Sequence, residues 1–134
     1  MPPKKILIIE DENFIAELYS HQLDKAGFNV KIANDGKTGL DFLDRESFDI
    51  LLLDILLPDI NGLEILRELK INNPHSTMIV LLLTNLGQDT VIKESFELGA
   101  QGYLIKASLT PYQIVDEVKN ALLGRSPQTP PQKS

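Results

Sequence analysis

Five short apolar runs punctuate the chain, and longer stretches of helical periodicity separate them. The runs are Lys5–Glu10 (KILIIE), Asn29–Ala33 (NVKIA), Asp49–Leu53 (DILLL), Met78–Leu83 (MIVLLL) and Gly102–Ile105 (GYLI). The first, third and fourth are apolar at nearly every position, which is how strands covered on both faces of a parallel sheet read. The second is mixed, as suits an edge. Between the runs, helices are predicted over Asn13–Ala26, Thr38–Arg45, Leu63–Asn72, Thr90–Leu98 and Pro111–Leu123. The first carries Phe14, Leu18 and Leu23 on one side. Gly27, Gly99 and Gly124 are stop signals, and Pro74 ends the third helix. Thr110 followed by Pro111 marks a helix start. Five β-then-α units predict a doubly wound α/β fold: a five-stranded parallel sheet with helices on both faces. A reversal of winding gives the flavodoxin-like strand order 2-1-3-4-5.

One position breaks the apolar pattern. Asp54 stands in the middle of FDILLLDILLP, residues 48–58. A carboxylate in apolar surroundings is costly unless it is paired, hydrogen-bonded or cation-bound. In open α/β sheets, ligands bind at the carboxyl ends of the strands. Glu10 and Asp11 close the first run, Asp54 follows the third, Thr84 the fourth and Lys106 the fifth. With order 2-1-3-4-5 and strands about 4.8 Å apart, Asp54 lies between the acid pair and Thr84. A lysine side chain can span the roughly 10 Å from the fifth strand. Each residue alone has an ordinary reading as a turn, a helix start or a solvated charge. Together they form a row of acid pair, central acid, hydroxyl and amine. Three carboxylates this close repel one another unless a cation intervenes. Oxygen donors without nearby His or Cys suit Mg²⁺. An Asp beside Mg²⁺, facing a hydroxyl and an amine, is arranged to receive a phosphoryl group.

Composition narrows the alternatives. The 134 residues are 43% hydrophobic, enough for one ordinary core. The net charge is -6, with 19 acidic against 13 basic residues. No window is strongly basic and aromatics are scattered, which argues against a nucleic-acid surface. The absence of cysteine excludes thiolate chemistry and disulfides. No signal peptide and no apolar run of membrane-spanning length is present, so a cytoplasmic protein with no membrane contact is expected. His21 and His75 lack partners at metal-ligand spacing and read as surface residues. The segment GRSPQTPPQKS has three prolines and no apolar pattern. The expected organisation is a domain over residues 1–124 and a disordered tail or linker stub over 125–134.

The motifs ILIIEDE, ANDGKTGLDFL, DILLLDILLPDINGLEILRELK, VLLLT and GAQGYLIKA together resemble the receiver domain of two-component response regulators. That family includes the bacterial chemotaxis regulator, and the resemblance runs from about Lys4 to Leu123. It implies that Asp54 accepts a phosphoryl group from the phosphohistidine of a histidine kinase or phosphotransfer protein. It implies Mg²⁺ on Asp11 and Asp54, with Glu10 as a second or water-mediated ligand and the Leu56 carbonyl as another. Thr84 would bond the phosphoryl oxygen, Tyr103 would be the switch aromatic, and Lys106 would pair with the phosphoryl group. The switch would regulate a downstream output partner or domain through the fourth helix, fifth strand and fifth helix. Enzymatic activity would be limited to weak self-catalysed phosphorylation and dephosphorylation.

Three positions depart from the family pattern. Ala107 follows Lys106 where proline is usual, and a cis bond there is the expectation despite a cost of about 2.5–4 kcal/mol without proline. Asn85 replaces a small residue and narrows access. Leu56 and Leu86 are apolar where the family tunes hydrolysis, so slow loss of phosphate is expected. Other functions fit less well. An aspartyl-phosphate phosphatase usually needs a second Asp at position 56, which is Leu. A flavin carrier would want a Ser/Thr/Gly-rich loop where EDEN stands. A receiver-like interaction module that is never phosphorylated is opposed by the complete acid set.

Overall fold

A computed structural model describes residues 2–85 and 89–125. Leu86 and residues 126–134 of the expected tail lie outside the described residues. Strands β1 (Lys5–Ile9), β2 (Asn29–Ala33), β3 (Ile50–Asp54), β4 (Ile79–Thr84) and β5 (Gly102–Ile105) alternate with five helices. These are α1 (Asn13–Lys25), α2 (Gly36–Arg45), α3 (Gly62–Asn72), α4 (Asp89–Glu97) and α5 (Pro111–Leu122). All strand pairs are parallel, in the order β2-β1-β3-β4-β5. Among the described residues no helix is long and apolar enough to cross a membrane.

Period-two alternation along the strands builds two cores. Leu7, Ile9, Leu51, Leu53, Val80 and Leu82 face α2, α3 and α4. Ile6, Ile8, Ile50, Leu52, Leu81 and Leu83 face α1 and α5. Covering on both faces is why β1, β3 and β4 read as continuous apolar runs.

Local chemistry fixes the helix ends. Thr110 and Gln113 form a reciprocal capping box at α5. Gly27, Gly99 and Gly124 have φ of 98°, 109° and 81°, left-handed values that glycine adopts without strain. α2 starts two residues before the predicted Thr38, because the Asp35 side chain caps it by accepting from the Thr38 N–H at 2.7 Å.

The expectation that Phe14, Leu18 and Leu23 share one side of α1 is corrected. Leu23 is buried, but Phe14 is 75% exposed and Leu18 borders solvent. The helix packs through Ala16, Tyr19 and Leu23. These recur at helical spacing and join the core cluster of Ile6, Ile8, Leu81 and Leu83. The expected cis bond at Lys106–Ala107 is also corrected. No cis peptide occurs among the described residues, and Lys106–Ser108 form a single 3₁₀ turn. Alanine lacks the ring that makes cis nearly isoenergetic, so the trans form prevails.

Candidate functional site

The predicted row of residues assembles at the carboxyl edge of the sheet. β3 and β4 each end one residue later than predicted, so Asp54 and Thr84 are the last strand residues rather than the first loop residues. Asp54 is only 4% exposed and Thr84 3%. Glu10 follows β1 and extends its ladder, donating its N–H to the Ala33 carbonyl at 3.0 Å. Its side chain is wholly buried, whereas Asp11 is exposed. One carboxylate oxygen each from Glu10, Asp11 and Asp54 lie within 4.8 Å of one another. A cleft of about 130 Å³ opens above them, lined by Asp11, Glu12, Asp54, Leu56, Thr84, Asn85 and Lys106.

Lys106 reaches back from the end of β5 to close the site. Its Nζ lies 3.0 Å from Glu10 Oε1, 3.3 Å from Glu12 Oε1 and 3.4 Å from Asp54 Oδ2. The other carboxylate oxygens are held by backbone. Leu56 N–H donates to Asp54 Oδ1 at 3.1 Å, and Glu12 N–H donates to Glu10 Oε2 at 3.1 Å. Thr84 points its hydroxyl at the Asn85 carbonyl, 3.2 Å away. Tyr103 stands outside the cleft. It packs against the α2–α4 core, edge-on to Phe96 with ring centroids 6.3 Å apart.

The electrostatics follow from burying like charges together. Burial pushes the Glu10 carboxyl from 4.5 up to about 7; the Lys106 hydrogen bond opposes this and the Asp54 charge reinforces it. Burial also raises Asp54, against the pull of Glu10, Lys106 and the Leu56 N–H. Burial disfavours the Lys106 ammonium, but its contacts with Glu10, Asp54 and Glu12 outweigh that and raise its pKa. Three carboxylates this close, two of them buried, offer an all-oxygen donor set that suits a hard cation.

Two contributors were missed in the sequence. Glu12, just after the acid pair, is a third partner of Lys106. Asp59, in the loop after Asp54, accepts from the Gly36 and Lys37 N–H groups at 2.9 and 3.0 Å. It thereby ties the loop after Asp54 to the start of α2. Burial of Asp59 is outweighed by these backbone donors, which lower its pKa. No local signal marks this contact, because its partners are 22 and 23 residues away. The loop also depends on Gly62. A Cβ there would stand 2.9 Å from Ile55 Cα and 3.0 Å from the Asp54 carbonyl oxygen. His21 and His75 are exposed, in keeping with their surface reading.

The chain resembles known proteins along nearly all of this architecture. The transcriptional regulatory protein CusR of Escherichia coli K12 is 41% identical over 102 residues, covering 76% of this chain and 44% of that protein. Response regulator ArlR of Staphylococcus saprophyticus is 36% identical over 127 residues, covering 92% and 54%. The chain thus spans about half the length of the curated relatives it matches. Among solved structures, Thermotoga maritima DrrB, an OmpR/PhoB homologue, aligns with a TM-score of 0.76 and 34% identity, over 92% of this chain and 54% of that one. A CheY-like receiver domain protein from Methanospirillum hungatei gives 0.83 and 29%, over 91% and 95%. The family model for the response regulator receiver domain matches residues 6–119, from β1 into α5. The chain therefore belongs to the response regulator receiver domain family of two-component signalling switches.

Proposed function

We propose that Asp54 accepts a phosphoryl group from the phosphohistidine of a histidine kinase or phosphotransfer protein. The observation that carries this reading is the convergence of Glu10, Asp54 and Lys106, from three strand ends, within hydrogen-bonding distance. In the transfer, the P–N bond of the donor breaks and an Asp54 carboxylate oxygen forms the new P–O bond. The electron pair of the broken bond stays on the departing imidazole. Glu10, Asp11 and Asp54 would hold Mg²⁺, with the Leu56 carbonyl as a further ligand; the all-oxygen donor set fits a hard divalent ion. Bound there, the ion offsets the charge of the transferring group.

Lys106 then holds a phosphoryl oxygen, and Thr84 turns its hydroxyl from the Asn85 carbonyl to another. The added charge of about -1.5 to -2 biases two pre-existing conformations. Tyr103, edge-on to Phe96, changes rotamer with Thr84 and carries the change to the α4–β5–α5 face. That face addresses an output domain or a separate partner in the cytoplasm. The receiver unit is residues 1–124, self-catalysis is weak, and Leu56 beside the cleft slows water attack on the acyl phosphate.

The test is incubation with Mg²⁺ and acetyl phosphate followed by intact-mass measurement, beside Asp54→Asn. The wild type gains one phosphoryl group and the variant none. No gain on the wild type, or equal gain on both, overturns the assignment.

A further inference from the structure

We infer that Glu12 is a positioning residue, which acts through Lys106 and holds its ammonium group away from an incoming phosphoryl group in the resting state. The inference rests on the proposed role of Asp54. An ammonium group has three N–H donors and no more. Lys106 has three carboxylate partners: Glu10, Glu12 and Asp54. A phosphoryl oxygen therefore reaches Lys106 only when one of these contacts gives way.

The three partners differ in how readily they let go. Glu10 is fully buried and makes the shortest contact, 3.0 Å, so releasing it would strand a charge away from water. Asp54 is the acceptor itself, and its carboxylate stays charged and paired with Lys106 until the new bond forms, so its contact holds while the donor enters. Glu12 is different, because its side chain is 55% exposed. Water solvates it as soon as Lys106 leaves. Glu12 is thus the contact that opens.

The position of Glu12 supports a role beyond helix capping. It is the N-cap of α1, with extended φ and ψ of -81° and 99°, where a side chain usually accepts from the first-turn N–H groups. Its side chain makes no such bond. The carboxylate turns instead across the cleft to Lys106, just past β5 and 94 residues along the chain. Its own N–H meanwhile donates to Glu10 Oε2, so one residue braces both the buried acid and the lysine. The same negative charge lines the cleft that an anionic phosphodonor must enter.

Charge and contact therefore act in one direction on phosphodonor binding and in the other on cation binding. Removing the Glu12 charge frees Lys106 for an anion and lowers the repulsion the anion meets. It also lets Lys106 settle on Glu10 and Asp54, where it competes with Mg²⁺. A half-exposed ion pair is worth a factor of roughly two to five, and both shifts should be of that size.

The experiment uses the full chain, with Glu12→Gln and Glu12→Asp beside the wild type. Calorimetry measures Mg²⁺ alone, then beryllium fluoride, a tetrahedral stand-in for the phosphoryl group, at saturating Mg²⁺. Rates with acetyl phosphate separate KM from kcat. In Glu12→Gln, beryllium fluoride should bind about two- to fivefold more tightly and Mg²⁺ more weakly by a similar factor. KM for acetyl phosphate should fall while kcat holds. A merely structural role would weaken both ligands together. Glu12→Asp keeps the charge but draws the carboxylate back by one methylene, so it should share the gain in fluoride affinity. Behaviour of Glu12→Asp like wild type contradicts the contact with Lys106. Unchanged or weaker fluoride binding in Glu12→Gln, with the wild type binding normally, contradicts the role of Glu12 alone. Failure of the wild type to bind beryllium fluoride in the presence of Mg²⁺ contradicts the reading of the Asp54 site itself.

Discussion

Without a divalent cation, the domain should lose stability as pH rises from 5 to 8. The cause is Glu10, whose carboxyl stands at about 7 in the fold against 4.5 as its ordinary value. Between those values the folded state keeps a proton that the unfolded state has released. A folded pKa above the unfolded one means that the stabilisation is full below about 4.5 and is lost as pH climbs through about 7. At 1.36 kcal/mol per pKa unit, the loss between pH 5 and 8 is roughly 2–3 kcal/mol. Asp54 and Glu117, both raised by burial, act in the same direction. Asp59 is lowered, so its contribution fades only in acid, outside this window. Urea unfolding at pH 5, 6, 7 and 8 in EDTA measures the slope directly. Glu10→Gln should remove most of it, and saturating Mg²⁺ should flatten it by binding the ionised cluster. A stability that is constant or rises with pH in EDTA, or a slope that survives in Glu10→Gln, refutes the reasoning.

Other perturbations probe the supports of the site. Gly62→Ala forces a methyl against Ile55 Cα and the Asp54 carbonyl, both backbone atoms. It should cost about 1–3 kcal/mol in urea unfolding and slow phosphorylation of Asp54; wild-type behaviour in both assays would exclude the close approach. Lys106→Met removes the ammonium between two buried acids and should cost about 1–3 kcal/mol at pH 8 in EDTA. The cost should shrink at pH 5, where Glu10 is protonated and less buried charge needs the lysine, and a deficit equal at both pH values would oppose this. Leu56, 54% exposed at the cleft, offers water no hydrogen bond. Leu56→Gln should shorten the life of the phosphorylated protein; a wild-type lifetime of seconds, followed by mass measurement, would contradict the slow loss expected of it.

The parts legible in the sequence are those governed by local pattern. β1, β3 and β4 are apolar because both of their faces are covered, so their runs named them and their order. Asp54 was legible as an interruption, and its neighbours followed from the strand order. The face of α1 was not legible from the largest apolar residues. Ala16 and Tyr19 are buried, while Phe14 is solvent-facing. Glu12 and Asp59 escaped for another reason. Their partners lie on elements far along the chain, and only the folded arrangement sets side chain against side chain. The Lys106–Ala107 bond shows the converse, where a family habit yields to the local chemistry of a missing proline.

The central claim is that Asp54 carries the phosphoryl group, and trapping the acyl phosphate tests it most directly. Borohydride reduces an aspartyl phosphate to homoserine and leaves free carboxylates alone. The protein, treated with Mg²⁺ and acetyl phosphate and then reduced, should yield one peptide with homoserine at position 54 and unmodified aspartate at position 11. Homoserine at another position, or none at all, would contradict the account.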